Sequence, residues 1–472
     1  MLERKLSPTG IDELDKVIGG FPKGGLITIS GNPGTGKTAL ASTFIYNGVV
    51  KYGETGVYAS LLEEEEKFYE FMMSFGLDFK SLRNRGVFRY IPIPTLLEPG
   101  MSMSVADIVE MVDSIGARRL VIDSFTAMSQ MFKSQTEARI FLHTLLSKIA
   151  RQLECTTLLI KEVSGKDPEY GFEEFISDGV LFLKRGYYAG RLLRELHILK
   201  MRGVEVFEPK LCISLHDGFK VLRPLRIGVE HIQRKYVPPP DPKGRYTTGI
   251  QDLDKVIGGY PKASTVIYEI DPRLTILDYE LVLMPLLVSY TLRERGIITL
   301  PSGGIGWQHI TELYKTFSIS HEHISRYLRI LIDADLGEKK TLPSYVHQIN
   351  VASSEDLVNM IREFTNNFIT EYREPPVIVI GVDRLIYRLK EDAIGVIYSL
   401  TNLVKATGGL VIWIVKPVYP WSVKAIAPLA DHHLKITRIN GRLTLYGIKP
   451  RTPLYAIELV NDGTFIKLVP IM

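Results

Sequence analysis

Apolar residues along this chain fall into two alternating patterns. Short unbroken runs at residues 26–30, 56–61, 120–122 and 156–161 have the length of buried strands. Between them, residues 37–51, 64–75 and 135–153 repeat their apolar positions every three to four residues and predict helices. The alternation predicts a mainly parallel, twisted sheet with helices on both faces. From Val180 onwards the pattern changes, and residues 191–200 and 219–222 read as antiparallel strands added at the edge of that sheet.

The plan occurs twice. Thr9-Gly-Ile-Asp-Glu-Leu-Asp-Lys-Val-Ile-Gly-Gly-Phe-Pro-Lys23 returns as Thr248-Gly-Ile-Gln-Asp-Leu-Asp-Lys-Val-Ile-Gly-Gly-Tyr-Pro-Lys262, identical at twelve of fifteen positions. Self-similarity of this kind marks a tandem repeat. Between the copies, Val237-Pro-Pro-Pro-Asp-Pro242 cannot continue a helix or join a central strand. The predicted organisation is a first domain at residues 1–235, a proline-rich linker at 236–242 and a second domain at 243–472.

Chemistry concentrates in the first copy. Gly31-Asn32-Pro33-Gly34-Thr35-Gly36-Lys37-Thr38 has the spacing of a P-loop and lies between a predicted strand and a predicted helix. Glycines let backbone N–H groups turn inward around a phosphate, and the helix N-terminus adds partial positive charge. In that arrangement Lys37 reaches the β- and γ-phosphates of ATP and the Thr38 hydroxyl ligates Mg2+. The apolar strand 120–122 runs into Asp123-Ser124, where such folds place a carboxylate that holds Mg2+ through water. An aspartate at a strand end is otherwise a common turn former.

These segments, with Glu173-Glu-Phe-Ile-Ser-Asp178-Gly-Val180 and Leu196-His-Ile-Leu-Lys200-Met-Arg202-Gly203, resemble the KaiC-like branch of the RecA/RadA-type P-loop ATPases over essentially the whole first half. The resemblance implies an α/β fold of two tandem RecA-like domains. It also implies homo-oligomers, hexamers favoured, with ATP at subunit interfaces. In that family a Lys-x-Arg pair from one subunit reaches the γ-phosphate held by its neighbour, and here the pair is Lys200 and Arg202. Without the resemblance, the same stretch reads as a solvated edge strand of alternating charge. Family members usually carry two adjacent glutamates after the second strand, and this chain has Leu62 and Glu63 there. A leucine cannot accept a proton, so Glu63 is left as the catalytic base and hydrolysis is expected to be slow. Glu64, Glu65 and Glu66 are expected to complement a helix dipole.

In the second copy the P-loop aligns with Ile270-Asp-Pro-Arg-Leu-Thr-Ile-Leu277, which has no glycine and no lysine. The glutamate pair maps to about Ser302-Gly303, and residues 377–383 read as the metal-acid strand ending in Asp383. A degenerate domain without nucleotide is expected. Lys449-Pro-Arg451 keeps the Lys-x-Arg spacing, as residual basic surface or as a pair that contacts a neighbouring site. His321-Glu-His323 and His432-His433 lack further ligands at zinc spacing and read as structural or surface histidines.

A net charge of +4 permits a nucleic-acid partner without favouring one, and the two cysteines form no framework. Met1 to Lys5 leads straight into the repeat, and the apolar runs at 281–288, 377–382 and 410–415 are shorter than the ~20 residues a membrane span needs. A cytoplasmic protein without membrane attachment is expected. The favoured function is a Mg2+–ATP-dependent regulatory or signalling switch. The alternatives are a RadA-like DNA-binding repair accessory ATPase and a nucleotide sensor that does not hydrolyse.

Overall fold

The computed structural model describes residues 5–61, 63–93, 105–129, 132, 134–165, 167–168, 170–226, 236–333, 342–349, 353–416 and 420–472. The chain forms two compact units, Met1–Pro224 with Pro470–Met472, and Leu225–Val469. Each is an α/β unit built on one large, mostly parallel sheet.

The first unit holds β1 (Leu26–Gly31), α1 (Lys37–Tyr52), β2 (Gly56–Ser60), α2 (Glu65–Met73), β3 (Phe88–Pro92), β4 (Arg119–Asp123), α3 (Gln135–Thr144), β5 (Thr156–Glu162), β6 (Gly179–Tyr188), β7 (Arg191–Met201), β8 (Lys210–Ser214) and β9 (Lys220–Leu222). Their order in the sheet is β9-β8-β7-β6-β1-β5-β4-β2-β3. The six strands from β6 to β3 are parallel, and β7, β8 and β9 are antiparallel additions. Central strands are buried on both faces, which explains why β1 reads as a continuous apolar run. Period-two alternation divides them between two cores: Ile27, Ile29 and Val121 face one, and Leu26, Leu120 and Ile122 face the other. The helix expected over 135–153 is α-helical only to Thr144 and π-helical over Leu145–Gln152.

One charge lies wholly inside this unit. Arg119, at the start of β4, is fully buried and ion-paired with Glu54. It donates to the carbonyls of Phe44 at 2.6 Å and Pro8 at 2.8 Å.

The second unit repeats the plan with β10 (Ser264–Ile270), α4 (Ile276–Leu292), β11 (Ile297–Leu300), β12 (Leu328–Asp333), β13 (Val346–Ile349), β14 (Val377–Gly381), α5 (Val382–Leu389), β15 (Leu410–Val415), β16 (His432–Ile439), β17 (Arg442–Lys449), β18 (Tyr455–Leu459) and β19 (Ile466–Pro470). The sheet order is β13-β12-β11-β14-β15-β10-β16-β17-β18-β19. The proline-rich stretch lies on this unit. The Tyr236 hydroxyl donates to the carbonyls of Gly249 and Pro285, and Asp241 pairs with Arg295 at 2.7 Å. At the other end of the chain, the Leu215 N–H donates to the Met472 carbonyl at 2.8 Å within the first unit.

Candidate functional site

The loop between β1 and α1 shows why its sequence is rich in glycine. A Cβ on Gly31 would lie 2.5 Å from the Leu183 carbonyl, and one on Gly36 would lie 3.0 Å from Leu215. Gly34 and Gly36 adopt positive φ, which turns the loop over the start of α1. No side chain caps that helix, so its first N–H groups stay available to an anion. Asn32 and Thr35 shape the loop: Asn32 Nδ2 donates to the Val163 carbonyl at 3.0 Å, and Thr35 Oγ1 donates to the Asn32 carbonyl at 2.8 Å. Pro33 and Gly34 are exposed at its tip.

Lys37 folds over the loop, donating to the carbonyls of Gly31 at 2.9 Å and Asn32 at 3.0 Å. Burial lowers its pKa, against the opposing pull of the Glu162 and Asp123 carboxylates. Thr38 Oγ1 donates to Asp123 Oδ2 at 2.9 Å, and the Tyr58 hydroxyl donates to the same oxygen at 2.6 Å. Burial raises the Asp123 pKa, while those two hydrogen bonds and Lys37 work to lower it. A hydroxyl, a buried carboxylate and an ammonium therefore converge beside an uncapped helix N-terminus, a donor set that fits a hard cation and a polyphosphate. The cleft has a volume of about 330 Å³.

The remaining expected residues are placed differently. Ser124 is buried, and its hydroxyl accepts from the Ala127 N–H at 3.3 Å, turned into a short helix. Glu63 is exposed, its backbone held by Ser60 Oγ at 3.3 Å and the Tyr90 hydroxyl at 2.7 Å. Partial burial and the neighbouring Asp123 charge raise its pKa. Leu62 lies outside the described residues. Lys200 and Arg202 do not line the cleft. Strand register places Lys200 opposite Val180, which pairs with Thr28, three residues before Gly31 and so about 10 Å down the strand. Lys200 Nζ donates to the carbonyls of Glu174 and Phe175, and Arg202 pairs with Asp178 at 3.3 Å.

Sequence reasoning missed several residues at this cleft. Glu162, the last residue of β5, lines it and is electrostatically coupled to Lys37 and Asp123. Its signal is positional, a carboxylate at the C-terminal end of a strand beside β1, where open α/β sheets hold ligands. Arg194 Nη1 donates to the Gly34 carbonyl at 2.6 Å from β7, a contact no spacing announces. Phe71 and Phe75 form the far wall.

Register also shows what replaces the site in the second unit. Pairing of β5 with β4, and of β15 with β14, makes Val377 the counterpart of Arg119. Gly381 therefore stands where Asp123 stands. This corrects the reading that made Asp383 the end of the metal-acid strand, because Asp383 already belongs to α5. No carboxylate fits at 381, since a Cβ there would lie 2.4 Å from the Ser302 Cα. Counting on from β11, Leu62 and Glu63 correspond to Gly303 and Gly304, one residue beyond the expected pair. Glu162 is replaced by Lys416, which lies 3.9 Å from Asp383. The loop before α4 satisfies itself. Arg273 pairs with Asp271 at 2.7 Å, and Thr275 and Asp278 form a reciprocal cap on the helix N-terminus.

The other edge of the second sheet is conserved in register. Lys449 pairs opposite His433, which pairs with Ile267, the counterpart of Thr28. Lys449 thus occupies the place of Lys200, and its Nζ donates to the Ala430 carbonyl. His433 Nε2 is hydrogen-bonded to Glu269 Oε2 at 2.9 Å, and His432 packs edge-on against the Tyr260 ring. Among the described residues there is no group of three or more His, Cys, Asp or Glu side chains that could hold a metal ion.

Residues 7–222 match the family model described as the KaiC ATPase. The chain is similar to the circadian clock oscillator protein KaiC of Parathermosynechococcus lividus, 30% identical over 263 residues, 53% of this chain and 47% of that protein. The KaiC of Thermosynechococcus vestitus is 28% identical over 268 residues, 54% of this chain and 50% of its own length. The chain spans about half the length of these curated relatives. Among solved structures, it is similar to a KaiC-like protein of the archaeon Pyrococcus horikoshii OT3, at 32% identity over 46% of this chain and 98% of that one, with a TM-score of 0.41.

Proposed function

Because the chain belongs, through its first unit, to the KaiC-like ATPases, we propose that it binds Mg2+–ATP at the P-loop of that unit alone and hydrolyses it slowly as a regulatory switch. The observation that carries this reading is the Thr38–Asp123 hydrogen bond beside the uncapped start of α1, in a unit whose repeat has exchanged the same positions for Leu277 and Gly381.

Thr38 and Asp123 would hold Mg2+, and Gly31 to Thr38, with Lys37, would hold the phosphates. Held there, Mg2+ would supply positive charge against the negative charge that develops on the phosphoryl oxygens. Lys37 exchanges two loop carbonyls for phosphate oxygens. Water attacks the γ-phosphorus, the bond to the β,γ-bridging oxygen breaks, and the water proton passes to Glu63, whose raised pKa suits a base. With one exposed glutamate in this role, turnover is slow.

Lys200 sits about 10 Å down the sheet from its own loop, and Arg202 about 17 Å. They would therefore serve a neighbouring copy's nucleotide, in a homo-oligomer for which a hexamer is the favoured size. No helix among the described residues is long and apolar enough to cross a membrane.

The test is calorimetric titration with Mg2+–ATP, with oligomeric mass and phosphate release measured in parallel, on wild type and Lys37→Ala. One nucleotide per chain, none in Lys37→Ala, and a mass that depends on ATP are expected. Two sites per chain, or full binding in Lys37→Ala, would remove the proposal.

A further inference from the structure

The cleft that starts at the P-loop continues past it into an apolar wall. Phe71 and Phe75 lie four residues apart, their ring centroids 5.2 Å from one another and their planes at 90°. Leu215 closes the wall against Gly36, at the first turn of α1. On the same helix Phe68 and Tyr69 are buried in the core, yet Phe71 remains 47% exposed. A large aromatic held half in water at the rim of a polar cleft does little for the fold.

The cleft has two chemically distinct ends. One carries Lys37, Thr38, Asp123 and Glu162, and the other carries Phe71, Phe75 and Leu215. A bare polyphosphate would fill only the first and leave the aromatic wall wet. A ligand that matches both has a polyanionic tail and a flat, weakly hydrated body. Its volume, about 330 Å³, lies at the low end of small-molecule pockets and suits one such ligand.

We propose that Phe71, supported edge-on by Phe75, is the platform on which the base of the bound nucleoside triphosphate stacks. The inference rests on the nucleotide reading of the P-loop and adds to it the residue that separates a nucleotide from a bare triphosphate. Stacking on an aromatic face is worth enough to be measured and tolerates any base, because every base presents a π-face. Among the described residues, no polar side chain lines the Phe71, Phe75 and Leu215 end. The base is therefore held by its face, and ATP and GTP bind within about threefold of each other.

Three probes with Mg2+ test this on the full chain: ATP, GTP and inorganic tripolyphosphate, titrated into wild type, Phe71→Ala, Phe71→Trp and Lys37→Ala. Phe71→Ala is expected to weaken ATP and GTP by about 5- to 150-fold and to leave tripolyphosphate unchanged. Phe71→Trp is expected to keep ATP affinity and to show fluorescence quenching with ATP but not with tripolyphosphate. The native tryptophans, Trp307, Trp413 and Trp421, all lie in the second unit, so the new signal is separable. Unchanged ATP affinity in Phe71→Ala overturns the proposal, as does an equal loss for ATP and tripolyphosphate, which would make Phe71 a packing residue. A preference for ATP over GTP beyond about thirtyfold overturns recognition by the face alone. If wild type binds neither ATP nor tripolyphosphate, the nucleotide reading fails, and the platform with it. Tripolyphosphate binding that Lys37→Ala abolishes, with ATP insensitive to Phe71, sinks the platform only.

Discussion

The position of Arg202 makes a prediction that separates action within a subunit from action across an interface. Arg202 lies beside Asp178, which meets Leu26, five residues before Gly31, so strand register holds it about 17 Å down the sheet from its own P-loop. At that separation, with an effective dielectric constant near 20, one charge contributes at most about 1 kcal/mol to stabilising phosphoryl charge. Asp178, 3.3 Å from the guanidinium, offsets most of that, so a residue acting in its own subunit would cost only a factor of a few when removed. An arginine finger supplied by a neighbour is worth about 10³- to 10⁵-fold. Arg202→Ala is therefore expected to slow phosphate release at least 10³-fold with ATP affinity largely kept. The decisive assay mixes it with Lys37→Ala, which lacks a loop lysine but carries the finger. Each variant alone is inactive, and in randomly re-assembled 1:1 oligomers about one interface in four joins an intact loop to an intact finger. Recovery of about a quarter of the wild-type rate is expected. A loss below tenfold in Arg202→Ala, or no recovery in oligomers that mass measurement shows to be mixed, would refute the reasoning.

Other consequences follow from the buried groups. Burial holds the Asp123 carboxyl above its ordinary pKa, so the folded state binds that proton more tightly than the unfolded chain, and stability falls as pH rises between the two values. Asp123→Asn should raise the nucleotide-free Tm at neutral pH by about 2–6 °C, lose that advantage near pH 4, and abolish Mg2+-dependent tightening of ATP binding. An unchanged melting curve would count against a destabilising charge. Arg119→Met leaves the Phe44 and Pro8 carbonyls and Glu54 without their partner, and should cost the first unit about 3 kcal/mol in urea unfolding. A loss under about 1 kcal/mol would show that the ion pair is replaceable. Gly381→Asp, the change that nominally restores the metal acid of the second unit, should instead destabilise by about 1–3 kcal/mol without adding a nucleotide, because Ser302 already fills the space. A second equivalent of ATP bound by that variant would overturn the register argument.

Much of this protein was legible in local patterns. Continuous apolar runs marked the parallel strands because both faces of those strands are covered, and the repeated Thr9–Lys23 segment marked two units because the same local chemistry builds the same turn twice. The P-loop was legible for a related reason. The phosphate binding proposed for it depends on backbone N–H groups and on glycines at fixed short spacing, so the whole device lies within eight consecutive residues. Residues that meet through strand pairing left no such trace. Glu162 comes to Lys37 and Asp123 only because β5 lies beside β1, and Arg194 reaches Gly34 from a strand 160 residues away in sequence. Asp383 looked like the metal acid by composition, yet β14 ends at Gly381, and only register against the neighbouring strands shows which residue faces the site. Spacing along one chain determines what a segment can become; which side chains converge is decided by pairing between segments, where a shift of one residue moves a side chain to the opposite face.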